Sequence, residues 1–485
     1  MVPKTQTFLA SACGGELLHG SPERLVSGIS TDSRTLEPGA LFAAVSGETH
    51  DGHLHLSEAL SKGASLLMIE RQRLPEAPSS APLLVVDNTR NALGRMAAAY
   101  RQEFHLPVVV VGGSNGKTST KEFLAAALSS LGPIVASEAS YNNDIGVPAT
   151  LFRLDSSTRA AIVEVGSNHP GELEPLVRMA APSIGIITSI GREHLEFFGN
   201  LDGVIQEEGT VAAALNRNGH LVLNADTAGM DSITSRTLAQ VIRCGSQPEA
   251  HWKFLRIRSD GEGSEFEVRA PIADYCGDYR VHVLGRHMVS NAVLALTVAS
   301  LLGVPAAAAR VGLARCRPAK RRMNVHLMGG VKVIDDAYNA NPDSMLAALQ
   351  TLNDLPCAGR RVAVLGQMAE LGPHSETAHA EVGRAAASCG VECLFAVGQH
   401  SELMVMAARG GSLKHAAAFQ TALDAGLAAL KELKPGDVVL VKASRSTRLE
   451  TVVELFREHL PCTPPFSSNQ PETSSSARTP ASAVS

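Results

Sequence analysis

At 485 residues the chain is too long for one ordinary hydrophobic core, and its length predicts about three domains. It is 45% hydrophobic and 19% charged, and its formal net charge of −5 gives no support to nucleic-acid binding, which normally needs a basic face. Its apolar runs are too short to cross a membrane. The 8 cysteines are scattered without a C-x-x-C pair, which favours reduced thiols over disulfides or a zinc site.

The N-terminal stretch MVPKTQTFLASACGG ends a small-residue segment in cysteine, faintly like a lipoprotein signal. Its apolar part is too short and too polar for an export signal. We therefore expect a surface helix that ends at the two glycines, a cytoplasmic protein and no membrane insertion.

Residues 1–105 contain short apolar runs separated by polar turns (GALFAAV, GASLLMIE and APLLVVDN), which predict a small α/β domain. Residues 106–322 begin with PVVVVGG, a β-branched run typical of a strand buried on both faces of a parallel sheet. The helix KEFLAAALSSLG follows and ends at glycine. The strand pattern recurs in AAIVEVG, SIGIITSI and HLVLNA with helical stretches between, so we expect a doubly wound, mostly parallel sheet.

The basic, proline-bearing segment RPAKRRM marks the next domain boundary. Residues 323–460 contain a second series of strands (VKVIDDAYN, RRVAVLG, ECLFAVG and DVVLVKAS), each leading towards a helix, and predict a Rossmann-like α/β domain. Residues 461–485 are rich in Ser, Pro and Thr and almost free of apolar residues, so we expect a disordered tail.

The loop GGSNGKTST after the first central strand is a candidate phosphate site, although its first glycine, Gly112, comes one residue later than in G-x-x-x-x-G-K-[ST]. A buried strand, a glycine turn and a helix start place backbone N–H groups and the positive helix end around an anion. Lys117 can reach the β- and γ-phosphates, and the Thr118 hydroxyl can bind Mg²⁺. An ordinary strand–turn–helix connection is the alternative, and Gly-Lys-Thr directly after four valines disfavours it.

Glu164 ends the strand AAIVEVG, and His194 follows the strand SIGIITSI. Ligands of open parallel sheets bind outside the carboxyl ends of the strands, so both side chains should lie at the same edge as the loop. Each alone is more typical of a paired core carboxylate or a hydrogen-bonded loop histidine. Their shared placement beside Thr118 makes a metal site an equal alternative.

Motifs along nearly the whole chain apart from the tail resemble those of the Mur ligase family, the ATP-dependent enzymes that extend the peptide of peptidoglycan precursors. The loop GGSNGKTST, STDSRTLEPGALFAAVSGETHDGH, SYNNDIGVP, EVGSNHPGEL, REHLEFFG and GRHMVSN are similar to successive family motifs. DDAYNANPDSM, AVLGQMAELG and LVKASRSTRLE resemble the branch that adds D-alanyl-D-alanine. The D-N-P-R motif of the ligase acting one step earlier is absent from the sequence.

The resemblance implies that ATP converts the terminal carboxylate of a UDP-N-acetylmuramoyl-tripeptide into an acyl phosphate, which the amine of D-alanyl-D-alanine then attacks. Positioning and charge neutralisation would come from Lys117, the loop N–H groups and two Mg²⁺ ions. We expect a monomer that acts on these small molecules, with clefts between domains that close on ATP.

The family motifs also imply a set of site residues. The ATP site comprises Gly112, Gly113, Ser114, Asn115, Gly116, Lys117, Thr118, Ser119, Asn291, Arg322, Asp336 and Asn339. The catalytic groups are Lys117, Glu164, His194 and Glu208, and the metal ligands are Thr118, Glu164, His194 and Glu208. Ser33, Arg34, Asn142 and Asn143 are expected to meet the UDP substrate, and Lys442, Ser444 and Arg445 the dipeptide.

Two positions depart from the family pattern. Met288 stands where an asparagine usually follows the histidine of the G-R-H motif. Glu208 stands where the family commonly has a lysine that is carbamoylated by CO₂, so no carbamoyl-lysine is expected here. Glutamate keeps the negative charge but reaches roughly 3–4 Å less far. We expect Glu208 to replace the modified lysine as a metal ligand; the alternative is an exposed helix glutamate in an enzyme that has lost this ligand.

Three other functions remain open from the sequence. A kinase or GTPase could use the same loop, but the sequence has no N-K-x-D guanine motif. A catalytically silent binding protein would fit the two departures, whereas the retained Lys117, Thr118, Glu164 and His194 argue against it. A folylpolyglutamate synthase-like ligase would share the fold, but the N-terminal motif favours the peptidoglycan branch.

Overall fold

The computed structural model describes residues 1–47 and 50–461. The predicted tail therefore lies outside the described residues except for Pro461. Three large sheets of five, nine and six strands follow one another along the chain. In the described ranges, none of the helices has the length and hydrophobicity that a membrane span requires.

The first sheet has the order β2–β7–β6–β5–β4, and only its β2–β7 pair is antiparallel. A separate antiparallel pair joins β1 to β3. The elements are β1 (Lys4–Thr5), α1 (Gln6–Cys13), β2 (Glu16–Leu18), β3 (Leu25–Val26), β4 (Ile29–Ser30), β5 (Leu41–Ala43), α2 (Leu56–Ser61), β6 (Leu66–Glu70), β7 (Leu83–Val86) and α3 (Thr89–Arg101).

The central sheet has the order β16–β15–β14–β13–β12–β11–β8–β10–β9, parallel from β9 to β14 and antiparallel at β15 and β16. Every residue of β8 and β10 is buried, as their apolar runs predict. The elements are β8 (Val108–Gly112), α4 (Lys117–Ala127), β9 (Ile134–Ala136), α5 (Gly146–Leu151), β10 (Ala160–Glu164), α6 (Leu173–Ala180), β11 (Ile184–Ile187), α7 (Leu195–Phe198), α8 (Leu201–Glu208), α9 (Thr210–Ala213), β12 (His220–Asn224), α10 (Met230–Thr234), β13 (Gln240–Gly245), β14 (Trp252–Ser259), β15 (Ser264–Arg269), β16 (Gly277–Val281), α11 (Arg286–Leu301) and α12 (Ala306–Arg315).

The third sheet has the order β17–β18–β22–β19–β20–β21, with only β17 antiparallel. The elements are β17 (Asn324–Met328), β18 (Val331–Asp336), α13 (Pro342–Asp354), β19 (Arg361–Leu365), α14 (Ser375–Ser388), β20 (Cys393–Val397), α15 (Ser401–Gly410), β21 (His415–Phe419), α16 (Ala422–Glu432), β22 (Val438–Lys442) and α17 (Glu450–His459). Short 3₁₀ helices cover Gly52–His55, Arg71–Glu76, Ser129–Leu131, Ala273–Tyr275, Gly372–His374 and Arg445–Thr447. Together the three sheets confirm the predicted α/β class with a doubly wound, mostly parallel central sheet.

The strand ends of the central and third sheets face each other. Glu164 pairs with Val111, and Ile187 pairs with Gly112, so β8, β10 and β11 end at one level. The next sheet presents the ends of β18 and β22, where Asp336 pairs with Lys442. Because parallel strands expose their following loops at a common edge, both sets of loops line one cleft.

Candidate active site

The phosphate loop is shaped by two glycines with positive φ. Gly113 has φ 114°, and a Cβ there would lie 2.4 Å from Thr188 Oγ1 and 2.8 Å from the Thr188 backbone nitrogen. Gly116 has φ 92°, and a Cβ there would lie 2.6 Å from Asn291 Oδ1. A side chain at Gly113 would meet backbone atoms, and one at Gly116 would displace the Asn291 amide as well as strain the backbone. The chain can therefore turn sharply out of β8 and enter α4 at Lys117, with the first N–H groups of the helix facing the cleft.

Lys117 folds back over its own loop. Its Nζ donates a hydrogen bond to Gly113 O (2.6 Å) and lies 3.7 Å from Glu193 Oε2. Burial acts to lower the pKa of Lys117, but the carboxylates of Glu193, Glu208 and Glu164 outweigh it and raise the pKa. The side chain is thus a permanent ammonium at the mouth of the loop, suited to a polyphosphate.

Glu164, at the end of β10, has one satisfied and one unsatisfied oxygen. Its Oε1 accepts hydrogen bonds from Thr118 Oγ1 (3.1 Å) and Asn142 Nδ2 (3.1 Å). Its Oε2 is buried and accepts no hydrogen bond in the part of the chain that the structure describes. A buried lone pair without a donor is unfavourable, and a hard cation is the partner that such an oxygen prefers. The pair Thr118–Glu164 therefore fits Mg²⁺.

His194 lies in the left-handed region, with φ 47°, at the start of α7. Its Nδ1 is held by a short contact to Glu370 Oε2, which comes from the third domain. The hydrogen bond to His194 holds the pKa of Glu370 below its usual range, so Glu370 is a carboxylate that accepts the Nδ1 proton. With Nδ1 engaged by Glu370, Nε2 is the ring nitrogen left for a ligand in the cleft, the arrangement typical of a metal-binding imidazole.

Glu208 ends α8 and is buried behind the loop. Its Oε2 accepts a hydrogen bond from the Gly113 N–H (2.6 Å). Burial raises the pKa of Glu208 to about 8, against the opposing field of Lys117. The side chain is thus not the exposed helix glutamate considered above, but neither is it on the wall of the cleft. Among residues 1–47 and 50–461, no three His, Cys, Asp or Glu side chains converge as a ready metal site.

The third domain supplies the opposite wall. Lys442 Nζ donates to Asp336 Oδ2 (2.6 Å) and to Asn339 O (3.0 Å). The Arg322 guanidinium lies 4.2 Å from the centre of the Tyr338 ring, a stacking geometry that holds its charge at the rim. Asp336 and Lys442 are the last residues of β18 and β22, Tyr338 and Asn339 follow β18, and Arg322 lies just before β17.

The cleft has a volume of about 830 Å³ and collects most of the predicted residues. Its wall includes Ser114, Asn115, Gly116, Lys117, Ser119, Asn142, Asn143, Glu164, His194, Asn291, Arg322, Asp336, Asn339, Lys442, Ser444 and Arg445. Behind the wall, in contact with it, are Gly112, Gly113, Thr118 and Glu208. The predicted ATP, metal and dipeptide residues thus come to one place.

Ser33 and Arg34 lie apart from this cleft, in the first domain. Ser33 Oγ donates to Glu58 Oε2 (2.9 Å), and Arg34 forms an exposed ion pair with Asp32 (2.8 Å). Arg90 is one link from that domain towards the cleft. Its guanidinium donates to Ser46 O (3.2 Å) and pairs with Asp144 (2.8 Å), which directly follows the predicted Asn142 and Asn143.

Several cleft residues were missed by the sequence analysis. Glu193 precedes His194 in the motif REHLEFFG and lines the cleft, and nothing in the spacing of the motif shows which side chains point inwards. Asn341 Nδ2 donates to Asn115 Oδ1 (2.9 Å), while its Oδ1 caps α13 in a capping box with Ser344. The Asn-Pro pair before a helix was the available signal for that cap.

Met288, the first departure from the family motif, is buried beside the loop. The Asn291 amide points its nitrogen at Met288 Sδ (3.9 Å) while packing against Gly116. The thioether therefore fills space next to the expected adenine contact and leaves Asn291 in place.

The class that this architecture defines is a three-domain α/β protein with a phosphate-binding loop in a cleft between two facing sheets. Family profiles match over most of the chain: "Mur ligase family, catalytic domain" over residues 25–101, "Mur ligase middle domain" over 111–299, and "Mur ligase, glutamate ligase domain" over 321–445. The chain belongs to the Mur ligase family.

Relatives and solved structures cover nearly the full length. UDP-N-acetylmuramoyl-tripeptide–D-alanyl-D-alanine ligase of Escherichia coli (strain K12) is 35% identical over 465 residues, 95% of this chain and 100% of that protein. The ligase of the same name from Mycobacterium bovis is 35% identical over 500 residues, 94% of this chain and 98% of that one. A crystal structure of MurF from Acinetobacter baumannii superposes with TM-score 0.85 at 30% identity, covering 94% of this chain and 99% of that chain.

Proposed function

We propose that this chain joins D-alanyl-D-alanine to a UDP-N-acetylmuramoyl-tripeptide with ATP as the energy source, releasing ADP and phosphate. The observation that supports this most directly is the meeting of the phosphate loop, the strand-end carboxylate Glu164 and the basic wall of the third domain in one cleft. Full-length similarity to ligases named for this reaction supports the choice of substrates.

The chemistry follows from the weak electrophilicity of a carboxylate. The carboxylate oxygen of the tripeptide attacks the γ-phosphorus of ATP, the bond to the β-phosphate oxygen breaks, and ADP leaves. The dipeptide amine then attacks the acyl phosphate, loses a proton and expels inorganic phosphate, which leaves an amide. Lys117 and the N–H groups at the start of α4 are placed to hold the phosphates in line and to stabilise their developing charge.

Two metal positions are part of the proposal. Thr118 and Glu164 would hold one Mg²⁺, and His194 would contribute to a second. When bound, Mg²⁺ neutralises charge between the β- and γ-phosphates. No lysine modification is needed, since residue 208 is a glutamate, and we expect turnover to be indifferent to bicarbonate. Glu208 stays a predicted ligand from the sequence.

We further infer that one chain is the working unit, because the central and third domains of this chain together line the predicted ATP, metal and dipeptide site. Two of the three proposed substrates are nucleotides, ATP and a UDP-linked peptide, and we infer that the reaction takes place in the cytoplasm. Light scattering of the purified protein at working concentration checks the first inference: a mass near 50.9 kDa is expected.

The test of the function is a coupled assay with ATP, D-alanyl-D-alanine and UDP-muramoyl-tripeptides that carry diaminopimelate or lysine. We expect ADP release only with all three substrates present and a product mass equal to the pentapeptide. Lys117→Ala should lose at least 100-fold in turnover, on the order of 3 kcal/mol of transition-state stabilisation. Lys414→Ala, at an exposed position, is the matched control.

Other outcomes point to other functions. ADP release without the amine would indicate a phosphatase or kinase, and release with a folate substrate would indicate the other branch of the fold. Amide formation that survives Lys117→Ala unchanged would refute the proposed role of the loop.

A further inference from the structure

Glu450, the first residue of α17, lies behind the cleft wall and holds two arginines at one carboxylate oxygen. Its Oε1 accepts a hydrogen bond from Arg445 Nη1 (2.6 Å) and forms an ion pair with Arg321 Nη1 (3.1 Å). The Glu450 side chain is only 12% exposed. Burial acts to raise the pKa of Glu450, but its own backbone N–H and the two guanidinium groups outweigh burial and lower the pKa. Glu450 is therefore a carboxylate anion in a fixed position.

Arg445 keeps hydrogen-bond donors for a ligand. Its side chain is 59% exposed and lines the cleft. Within residues 1–47 and 50–461, its guanidinium makes one hydrogen bond, from Nη1 to Glu450. A guanidinium carries five N–H groups in a planar fork that matches the two oxygens of a carboxylate. With Nη1 tied to Glu450, Nη2 and Nε are left for an anion that enters the cleft.

Lys442, the other cation expected at the dipeptide, is already engaged by the protein. Its Nζ donates to Asp336 Oδ2 (2.6 Å) and to Asn339 O (3.0 Å), and its side chain is buried. The charge of Lys442 is thus largely offset by Asp336. Of these two cations, Arg445 is the one suited to bind the carboxylate of a ligand.

Arg321, the second partner of Glu450, belongs to the hinge before β17. Its carbonyl accepts a hydrogen bond from the Tyr338 N–H (3.2 Å). Arg321 Nη2 also lies 3.6 Å from Glu454, an exposed residue one turn further along α17. In the described part of the chain, Glu454 forms no ion pair with Arg445. The two glutamates therefore share the hinge arginine, and only Glu450 also reaches the cleft wall.

We propose that Glu450 is a positioning residue for the acceptor: it orients Arg445 so that the guanidinium binds the terminal carboxylate of the dipeptide. This inference rests on the proposed function and adds a physical basis for the choice of acceptor. An acceptor whose carboxylate is blocked leaves the guanidinium without its anion. The ligase should therefore prefer dipeptides with a free C-terminal carboxylate.

The experiment compares D-alanyl-D-alanine with its C-terminal amide as acceptors, at saturating ATP and UDP-tripeptide. For the wild type we expect kcat/KM to be about tenfold or more lower with the amide, the range of a hydrogen bond to a charged group. Glu450→Gln should raise the KM for the dipeptide by about 3- to 10-fold and leave the amide nearly unaffected, so the preference shrinks. The KM for ATP should stay within about twofold, because Glu450 does not line the cleft. Glu454→Gln is the matched control and should keep the wild-type preference.

A second variant, Arg445→Lys, tests whether Glu450 acts through the arginine. Lysine keeps the positive charge but loses the planar fork, so this variant should lose the same preference. Adding Glu450→Gln to Arg445→Lys should change the KM for the dipeptide little further, because residues that act through one another are not additive. Near-ultraviolet circular dichroism and binding of an ATP analogue show that the variants are folded.

Four results would overturn the proposal. They are a wild type that uses both acceptors equally, an undiminished preference in Glu450→Gln, additive effects of the two substitutions, and an equal loss in Glu454→Gln, which would assign the effect to the hinge. Each of them leaves the proposed ligation intact. A wild type that forms no amide with either acceptor would instead refute the proposed function, and this inference with it.

Discussion

Gly113 is the most tightly enclosed residue of the phosphate loop. Its carbonyl accepts a hydrogen bond from the Lys117 ammonium, and its N–H donates a hydrogen bond to the Glu208 carboxylate. Its Cα faces Thr188. Lys117 and Glu208 thus depend on a backbone that only glycine can adopt. A substitution of Gly113 should therefore displace both Lys117 and Glu208.

We expect Gly113→Ala to destabilise the protein by about 3 kcal/mol or more, because positive φ and overpacking add. Binding of an ATP analogue should fall with it, as Lys117 loses its anchor. Gly171→Ala is the control: it has φ 86° but open space around it, so about 1 kcal/mol is expected. Thermal melting and calorimetry check both; equal losses would contradict the steric argument.

Much of the loop could be predicted from the sequence, because valine runs, glycines and Lys-Thr act over a few neighbouring residues. The partner of Glu208 could not, since Gly113 is 95 residues away and the contact depends on how α8 packs. The inward direction of Glu193 was equally hidden. It depends on how the loop before α7 packs against Lys117 of α4, which no local pattern shows.

At the scale of elements, helix α11 forms the part of the cleft beside the phosphate loop. It is buried from Met288 to Ala299; its first turn presents His287 to the cleft, and its second turn presents Asn291 to Gly116. The apolar run VLALTVAS predicts this burial, whereas the two polar side chains are placed by the turn at Gly285, φ 103°. The buried helix thereby fixes the positions of His287 and Asn291 relative to the cleft.

This placement makes stability depend on pH through His287. Burial lowers the pKa of His287 to about 4, with Lys442 acting in the same direction and Asp336 against it. Above pH 6.5 the ring is neutral in folded and unfolded chains alike. As the pH falls from 6.5 to 4, only the unfolded chain takes up the proton, so folding stability is lost. Urea unfolding at pH 7 and pH 5 should show a smaller loss for His287→Gln than for wild type. His105→Gln, at an exposed position, should behave as wild type.

At the scale of the whole molecule, the central and third domains are joined by an arginine clasp. We use this name for Arg192 and its two partners, Asp343 of α13 (2.7 Å) and Glu381 of α14 (2.7 Å). The Arg192 N–H also donates to Asp343 (2.6 Å). The clasp directly precedes Glu193 and His194, so domain contact and site geometry are linked through two peptide bonds.

Removing the clasp should favour domain opening. We expect Arg192→Ala to raise the KM for ATP by about 5- to 30-fold, from about 1–2 kcal/mol of lost ion pairing at half-exposed positions, with a smaller change in kcat. Small-angle scattering should show a larger radius of gyration that an ATP analogue and the UDP substrate together reduce. Arg280→Ala is the control, because Arg280 has the same exposure (31%) and two carboxylate partners within the central domain, Glu265 of β15 and Asp260 in the turn after β14. An unchanged scattering profile for Arg192→Ala would argue against the clasp.

The contact between His194 and Glu370 has a consequence for ATP hydrolysis in the absence of an acceptor. One member belongs to the central domain and the other to the third domain, so a separation of the two domains would release the imidazole from its carboxylate partner. Under the proposed function, an open cleft would then hold ATP beside a histidine that is no longer oriented. We expect hydrolysis without acceptor to be slow for this reason.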